Sequence, residues 1–360
     1  MVGASFGGLA CAHALARAGL DVTVLEKRAD SGEKLHTTGI LVKEAVEQIA
    51  LLESLPSPLV RRIDGVRLYA PNLRYVDLDA PGYYFLTTDT PGVMRWLASE
   101  ATRAGAKVRY DAVFRHAERI ADGIRLSDGH GDTRFLVGAD GPQSRVAKVF
   151  QLGASRKFLG GIEHEYAGAT IAAADRLHCF VDRRLTPGYI GWVVQGVGAV
   201  QVGLARRMRG GDAAEIKQSM SRFLQKVSGL FDFRASTPAS VRAGLIPCGG
   251  VVKPVAASRV LLVGDAAGMV SPVTAGGIHT ALKHGLGAGH AIADFLHGRA
   301  ADPSLSFVRS YPAFRMKRLL RFLFDHFQSD TAFNLALATR PMRLAASIVY
   351  FHHRGAFEPK

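Results

Sequence analysis

Hydrophobic and polar positions change period several times along the chain, and each change marks an element. Val2 leads into the small-residue stretch Gly3-Ala4-Ser5-Phe6-Gly7-Gly8. An apolar run from Leu9 to Ala18 follows, closed by Gly19, and then Asp21-Val22-Thr23-Val24-Leu25-Glu26. A glycine turn, a glycine-stopped helix and a β-branched run ending in an acid predict a βαβ unit. Over 65–86 the period shifts to two: Val66, Leu68 and Ala70 alternate up to a Pro71-Asn72 turn, which predicts antiparallel strands of another layer. A helix is expected over about 92–104, stopped by Gly105, and short strands over roughly 107–137. From about 151 to 246 strands mix with turns at Gly160-Gly161, Pro187-Gly188 and Gly210-Gly211, with one helix near 212–228. Residues 259–263 are dominated by Val and Leu, as in a strand buried on both faces. A long helix is expected from near Gly277 to about His297, and the last 55 residues read as helical and basic.

Composition narrows this picture. With 48% hydrophobic and 21% charged residues, disorder is not the default, and 360 residues exceed what one continuous core holds. Cys11, Cys179 and Cys248 lie far apart and form no paired motif, which fits a reducing, cytoplasmic setting. No apolar run reaches the roughly 18 residues of a spanning helix, and no signal peptide is visible. The net charge of +14 favours acidic partners: nucleic acid, anionic lipid or a phosphorylated ligand. No helix-turn-helix, zinc-finger or RNA-binding signature accompanies it, so nucleic acid is the weakest of the three.

Three motifs carry the chemistry. The first is the turn Gly3 to Gly8, whose glycines would allow a tight bend and close backbone approach to a pyrophosphate at a helix N-terminus. Ser5 stands where the fingerprint has its middle glycine, while Glu26, about 20 residues on, suits ribose hydroxyls. Only Met1 and Val2 precede Gly3, short of the usual five or six strand residues, and the expectation is a clipped strand or a start upstream. The second motif is Gly138-Ala139-Asp140-Gly141-Pro142-Gln143-Ser144-Arg145, where Asp140 can accept local backbone amides as a helix opens. In the third, Gly264-Asp265-Ala266-Ala267-Gly268, an aspartate ends a buried strand. Ala275-Gly276-Gly277-Ile278 then opens a helix whose free amides can face a ligand.

In this order and spacing the motifs, spanning about residues 1–297, resemble the flavoprotein class of aromatic hydroxylases, halogenases and geranylgeranyl reductases. The resemblance implies an FAD-dependent oxidoreductase. In it Gly3, Ser5, Gly8 and Glu26 hold the ADP part, Asp140 and Gly141 form the Asp-Gly element, and Asp265, Gly276, Gly277 and Ile278 hold the ribityl chain and flavin. The stretch Gly264 to Gly285 is most similar to the geranylgeranyl reductases, and Pro187-Gly188-Tyr189-Ile190-Gly191-Trp192 with Val202-Gly203-Leu204 is similar to that family's substrate sheet. Tyr189 and Trp192 thus become candidates for lining a substrate cleft. Two residues rather than one separate them, and Val194-Gln195 replaces the family's usual Phe-Pro. The loop His36-Thr37-Thr38-Gly39-Ile40 stands where some members carry a cysteine. Cys11, on the first helix, reads as packing.

The expected fold is therefore α/β. A Rossmann-like FAD-binding domain (1–64, 87–150 and 247–300) carries an inserted antiparallel-sheet substrate domain (65–86 and 151–246) and a helical C-terminal region (301–360). The implied activity is reduction of C=C bonds in an isoprenoid chain of geranylgeranyl type. The rivals are a monooxygenase of the same fold and a non-catalytic flavin-binding or electron-carrier protein. Electrons would come from NAD(P)H or a ferredoxin. With no second dinucleotide fingerprint, a nicotinamide would have to visit a shared cleft. No acid–base residue stands out, and His279, His284 and His290 scatter around a helix rather than forming a metal site. The segment Arg315 to Phe324 mixes Arg315, Lys317, Arg318 and Arg321 with bulky apolar residues. It suits peripheral contact with an anionic membrane, or, more plainly, an apolar stripe packed on the domain with the arginines outward.

Overall fold

The computed structural model describes residues 1–208 and 213–351; the Gly210-Gly211 turn and the end of the C-terminal stretch lie outside them. Val2 forms parallel bridges to both Leu25 and Gly138 and so joins the strands on either side. The chain then turns at Gly3 into α1 (Phe6–Arg17), and strand Thr23–Leu25 pairs parallel with Lys107–Arg109. On the other side, Leu136–Gly138 pairs parallel with Val260–Leu262. Both strands are wholly buried, as their apolar runs require.

Between these strands lie strand Ile40–Val42, the short α2 (Lys43–Gln48), and α3 (Thr90–Arg103), whose N-cap Asp89 accepts the Gly92 amide at 3.2 Å. The short α4 (Arg145–Val149) follows the second motif. The helix expected near 212–228 is α5 (Ala213–Val227), and that expected from Gly277 is α6 (Ile278–Leu296). The C-terminal segment folds as α7 (Arg315–Phe327), α8 (Asp330–Ala336) and α9 (Arg340–Phe351).

The second layer is a seven-stranded sheet. In spatial order its strands are Ser240–Pro247, Phe158–Ala167, Ala199–Arg207, Gly191–Gln195, Arg176–Phe180, Gly65–Tyr69 and Tyr75–Asp79. One pairing differs from the antiparallel expectation: Gly65–Tyr69 lies parallel to Arg176–Phe180. About a hundred residues separate these two strands, so the connection is a crossover rather than a hairpin. Phe85–Thr88, expected near the end of the same layer, instead pairs with Ile40–Val42 and Val60–Ile63. One face of the sheet buries Ile162, Val193, Val202 and Leu204 under Met220 and Phe223 of α5. The other face carries Glu163, Trp192 and Gly203 and turns toward the third motif.

What holds the motifs together is a contact between α1 and α6 so close that side chains are nearly excluded. A Cβ on Gly285 would overlap the Gly7 carbonyl oxygen, and one on Gly289 would lie 2.7 Å from the Cys11 carbonyl oxygen. Gly3 (φ +99°) meets the second motif in the same way: a Cβ there would lie 2.5 Å from the Ala139 carbonyl oxygen. We expect Gly285→Val to force the helices apart, destabilising the protein by more than about 2 kcal/mol and releasing FAD. A thermal melt read alongside flavin absorbance checks this, with Ala293→Gly, also on α6, as the control that leaves the contact in place.

Candidate functional site

The three motifs converge where the parallel strands end. Ser5 is the N-cap of α1, and its hydroxyl accepts the Gly8 amide at 3.3 Å. Serine is therefore tolerated at the middle fingerprint position because its side chain is spent on a helix amide. Glu26 is buried, with its carboxylate accepting the Ala4 amide at 2.8 Å and the Arg28 amide at 3.1 Å. Each oxygen keeps a second lone pair for a ligand hydroxyl.

Asp140 caps α4: it accepts the Arg145 amide at 2.6 Å, the Val146 amide at 3.1 Å and the Ser144 hydroxyl at 2.6 Å. Its carboxylate orders the turn, and Gly141 (φ +87°) beyond it has open space on its side-chain direction. Asp265 behaves differently. Among the described residues its carboxylate has no hydrogen-bond partner, although burial pushes its pKa up to about 6. Gly277 brings α6 to it, since a Cβ there would lie 3.6 Å from Asp265 Oδ1. No side chain caps α6, so the Ile278 amide opens toward the same place.

A partly buried carboxylate without a protein partner among the described residues, beside an uncapped helix N-terminus, fits a polyhydroxylated chain ending in an electron-rich ring. The residues therefore suit FAD: a pyrophosphate at Gly3 to Gly8, ribose at Glu26, ribityl hydroxyls at Asp265, and flavin at Gly276 to Ile278.

Tyr189 and Trp192 both meet this region, but not as one strand. Gly188 (φ +79°) places Tyr189 in a turn, with its amide donating to the Thr186 carbonyl at 2.9 Å, and the strand begins only at Gly191. The Tyr189 hydroxyl donates to the Thr274 carbonyl of the third motif's loop. Trp192 packs with Tyr189, Ile246 and Ala275 around Leu159, Ala205 and Cys248. Its indole lies across Gly203, where a Cβ would overlap the ring, and Nε1 donates to Glu163 Oε2 at 2.9 Å.

Glu163 is the residue that sequence reading missed. It lies 4% exposed mid-strand beside Arg242 and Glu165. The signal was present as two glutamates at period two within a strand pattern. The loop His36–Gly39 is clamped over this cluster. Arg242 donates to the Thr37 carbonyl and Gln201 to the Thr38 carbonyl, each at 3.2 Å, and the Thr90 hydroxyl donates to the Thr38 carbonyl, also at 3.2 Å. Cys11 is fully buried and burial pushes its thiol up to about 12, which leaves it unreactive.

Fold and site together define an FAD-dependent oxidoreductase. Residues 1–318 match the FAD binding domain family. A digeranylgeranylglycerophospholipid reductase of Methanopyrus kandleri is 30% identical over 86% of this chain and 80% of that protein. A geranylgeranyl diphosphate reductase of Rhodobacter capsulatus is 26% identical over 91% of this chain and 84% of that one. The chain belongs to the geranylgeranyl reductase family. A geranylgeranyl bacteriochlorophyll reductase-like protein of Thermoplasma acidophilum has the same fold (TM-score 0.83, 18% identity, 98% and 96% of the two chains). The fold is also shared by p-nitrophenol 4-monooxygenase of Pseudomonas putida (TM-score 0.72, 16% identity, 99% and 98%).

The raised pKa of Asp265 has a testable sign. In cofactor-stripped protein the folded state binds the proton more tightly than the unfolded chain, whose value is 3.8. Above pH 6 the ionised, unpartnered group is a burden of about 2 kcal/mol after solvent screening, relieved as pH falls from about 6 toward 4. Asp265→Asn should therefore melt higher than the parent at pH 7.5, the gap closing by pH 4.5, and should bind FAD more weakly. Melting curves across this range, with flavin titration, check both.

Proposed function

We propose that the protein saturates C=C bonds of geranylgeranyl chains carried on a glycerophospholipid or a diphosphate, with two electrons supplied by bound FAD. Supporting this is the apolar lining beside the third motif: Leu159, Ala205, Trp192 and Ile246 cluster with Ala275 of the loop that would hold the flavin. Such a lining suits hydrocarbon. In this reading Gly3, Ser5, Gly8, Glu26, Asp140, Gly141, Asp265, Gly276, Gly277 and Ile278 hold FAD. Residues 1–64, 87–150 and 247–300 form the cofactor domain. Residues 65–86 and 151–246 form the substrate domain, where Tyr189 and Trp192 line the cleft, and 301–360 form a C-terminal region. The Tyr189 hydroxyl ties the substrate turn to the Thr274 loop, so binding in the cleft and placement of the ring are set together. Electrons come from NAD(P)H or a ferredoxin.

Residues of α7 favour delivery from a lipid surface. The apolar stripe expected to pack inward is exposed here, while Arg315 and Arg318 face outward as expected and Arg321 alone of the helix's arginines is buried. Met316 is 66% and Phe327 73% exposed, and Leu319, Leu320, Phe322 and Leu323 are exposed with them. Arg321 is only 5% exposed. Its guanidinium donates to the Gly188 carbonyl and to Asp325, which Arg207 also meets, and this ion-pair group turns Arg321 inward. Arg321 therefore leaves the set of lipid-facing cations, and Arg315 stays beside an apolar face suited to an anionic interface. No described helix is long and apolar enough to cross a membrane.

Two experiments test these readings. Enzyme photoreduced without oxygen should add hydrogen pairs to geranylgeranyl diphosphate or the unsaturated phospholipid, read by mass spectrometry. Strict dependence on oxygen with insertion of an oxygen atom would replace this reading by the monooxygenase one. Flavin bleaching with NADPH, NADH or reduced ferredoxin identifies the donor. In sedimentation with phosphatidylglycerol vesicles, Leu323→Gln with Phe327→Gln should reduce binding several-fold at all salt concentrations. Arg315→Gln should act mainly at low salt.

A further inference from the structure

The face of the seven-stranded sheet that looks toward the third motif carries a buried charge imbalance. Glu163, in register with Arg242 on one side and Gly203 on the other, lies beside Trp192 one strand further on. Arg242 Nη2 binds Glu165 Oε1 at 2.7 Å, while its Nη1 stands 3.6 Å from Glu163 Oε1. Gln201 adds a second donor to Glu165 at 3.2 Å. Two carboxylates thus share one guanidinium, and the nearer, better-bonded one takes it. Glu163 keeps the Trp192 N–H on Oε2, but Oε1 is buried with no hydrogen bond of normal geometry. An ionised carboxylate in that position would have only a shared guanidinium 3.6 Å away and one N–H to offset its burial, whereas a protonated one is neutral.

The other charged and titratable groups of the cluster do not change the count. His36 donates through Nδ1 to the Ala243 carbonyl at 2.6 Å and faces Arg28 with its other nitrogen; burial lowers its pKa and leaves it neutral. The Thr38 hydroxyl and Arg242 oppose the rise at Glu163, but burial outweighs them and its pKa is raised. Trp192, which donates to this carboxyl, belongs to the same apolar cluster as Ala275, which leads into Gly276 and Gly277.

We propose that Glu163 is the proton donor of the reduction. The inference rests on the reductase reading above. FAD, held in its reduced form by the residues of the three motifs, would supply a hydride to one alkene carbon. Glu163 Oε1 supplies H⁺ to the other, so the π bond is replaced by two C–H bonds and the flavin is oxidised by two electrons. The carboxylate left behind is met by Arg242 and the Trp192 N–H until solvent returns the proton.

Infrared difference spectra of FAD-loaded protein test this. At pH 7 the parent should show a protonated-carboxyl band that Glu163→Gln lacks; absence of the band in the parent overturns the proposal. Glu163→Gln should still load FAD and accept electrons from the donor, but lose alkene reduction more than a hundred-fold; retained turnover also overturns it. Glu165→Gln supplies a second reading, leaving Glu163 in place and freeing Arg242 for it. The band should vanish at pH 7, and the limb where activity falls with rising pH should move to lower pH. In a Trp96→Phe background, Trp192 fluorescence should titrate with that same limb, and a fluorescence titration that does not follow it counts against the assignment. If the parent shows the band yet reduces neither isoprenoid, the substrate reading fails while the protonation stands.

Discussion

The close contact between α1 and α6 is the constraint on which the site depends. Gly7 and Cys11 of one helix meet Ala281, Gly285 and Gly289 on the other, with carbonyl oxygens where side chains would otherwise lie. Because the helices nearly touch, the turn at Gly3 and the loop at Asp265 open on the same side of the parallel strands. Gly3 against Ala139 adds the second motif. Three stretches separated by more than a hundred residues each become one surface through backbone proximity, which glycine permits and larger residues do not.

Within that surface the acids divide by what surrounds them. Glu26 and Asp140 accept backbone amides and so hold turns in shape. Among the described residues Asp265 accepts none, and its proposed role toward the ribityl chain rests on this unmet capacity. Glu163 is the fourth case: enclosed, bonded on one oxygen and outcompeted for its cation by Glu165. All four are carboxylates in a glycine-rich α/β protein, and only their partners separate a structural role from a chemical one.

The Arg321 group joins the outer layer to this interior. It receives the Gly188 carbonyl from the turn before Trp192 and the Asp325 carboxylate from its own helix, while the Pro272 carbonyl lies 3.5 Å away. One guanidinium thus ties α7 to the substrate sheet and to the third motif's loop. Pairing Arg321 inward leaves the apolar side of α7 outward.

By itself the sequence determined the local elements and the cofactor class. Turn glycines, the acid ending the second strand, the apolar strand at 260–262 and the long helix from 278 are short-range patterns, and the structure places them within a few residues of expectation. Ser5 looked like a departure because its cap to Gly8 is invisible as a spacing. Only the tertiary structure decided the rest: the parallel pairing of Gly65–Tyr69 with Arg176–Phe180, Tyr189 in a turn with Trp192 in the strand, the inward side of α7, and the place of Glu163. Each depends on partners far away in the chain. A helix with arginine and leucine on opposite sides is compatible with either orientation until Asp325 and Gly188 claim Arg321. A glutamate on a strand is unremarkable until Arg242, Glu165 and Trp192 arrive from distant positions and fix how many charges must share one buried space.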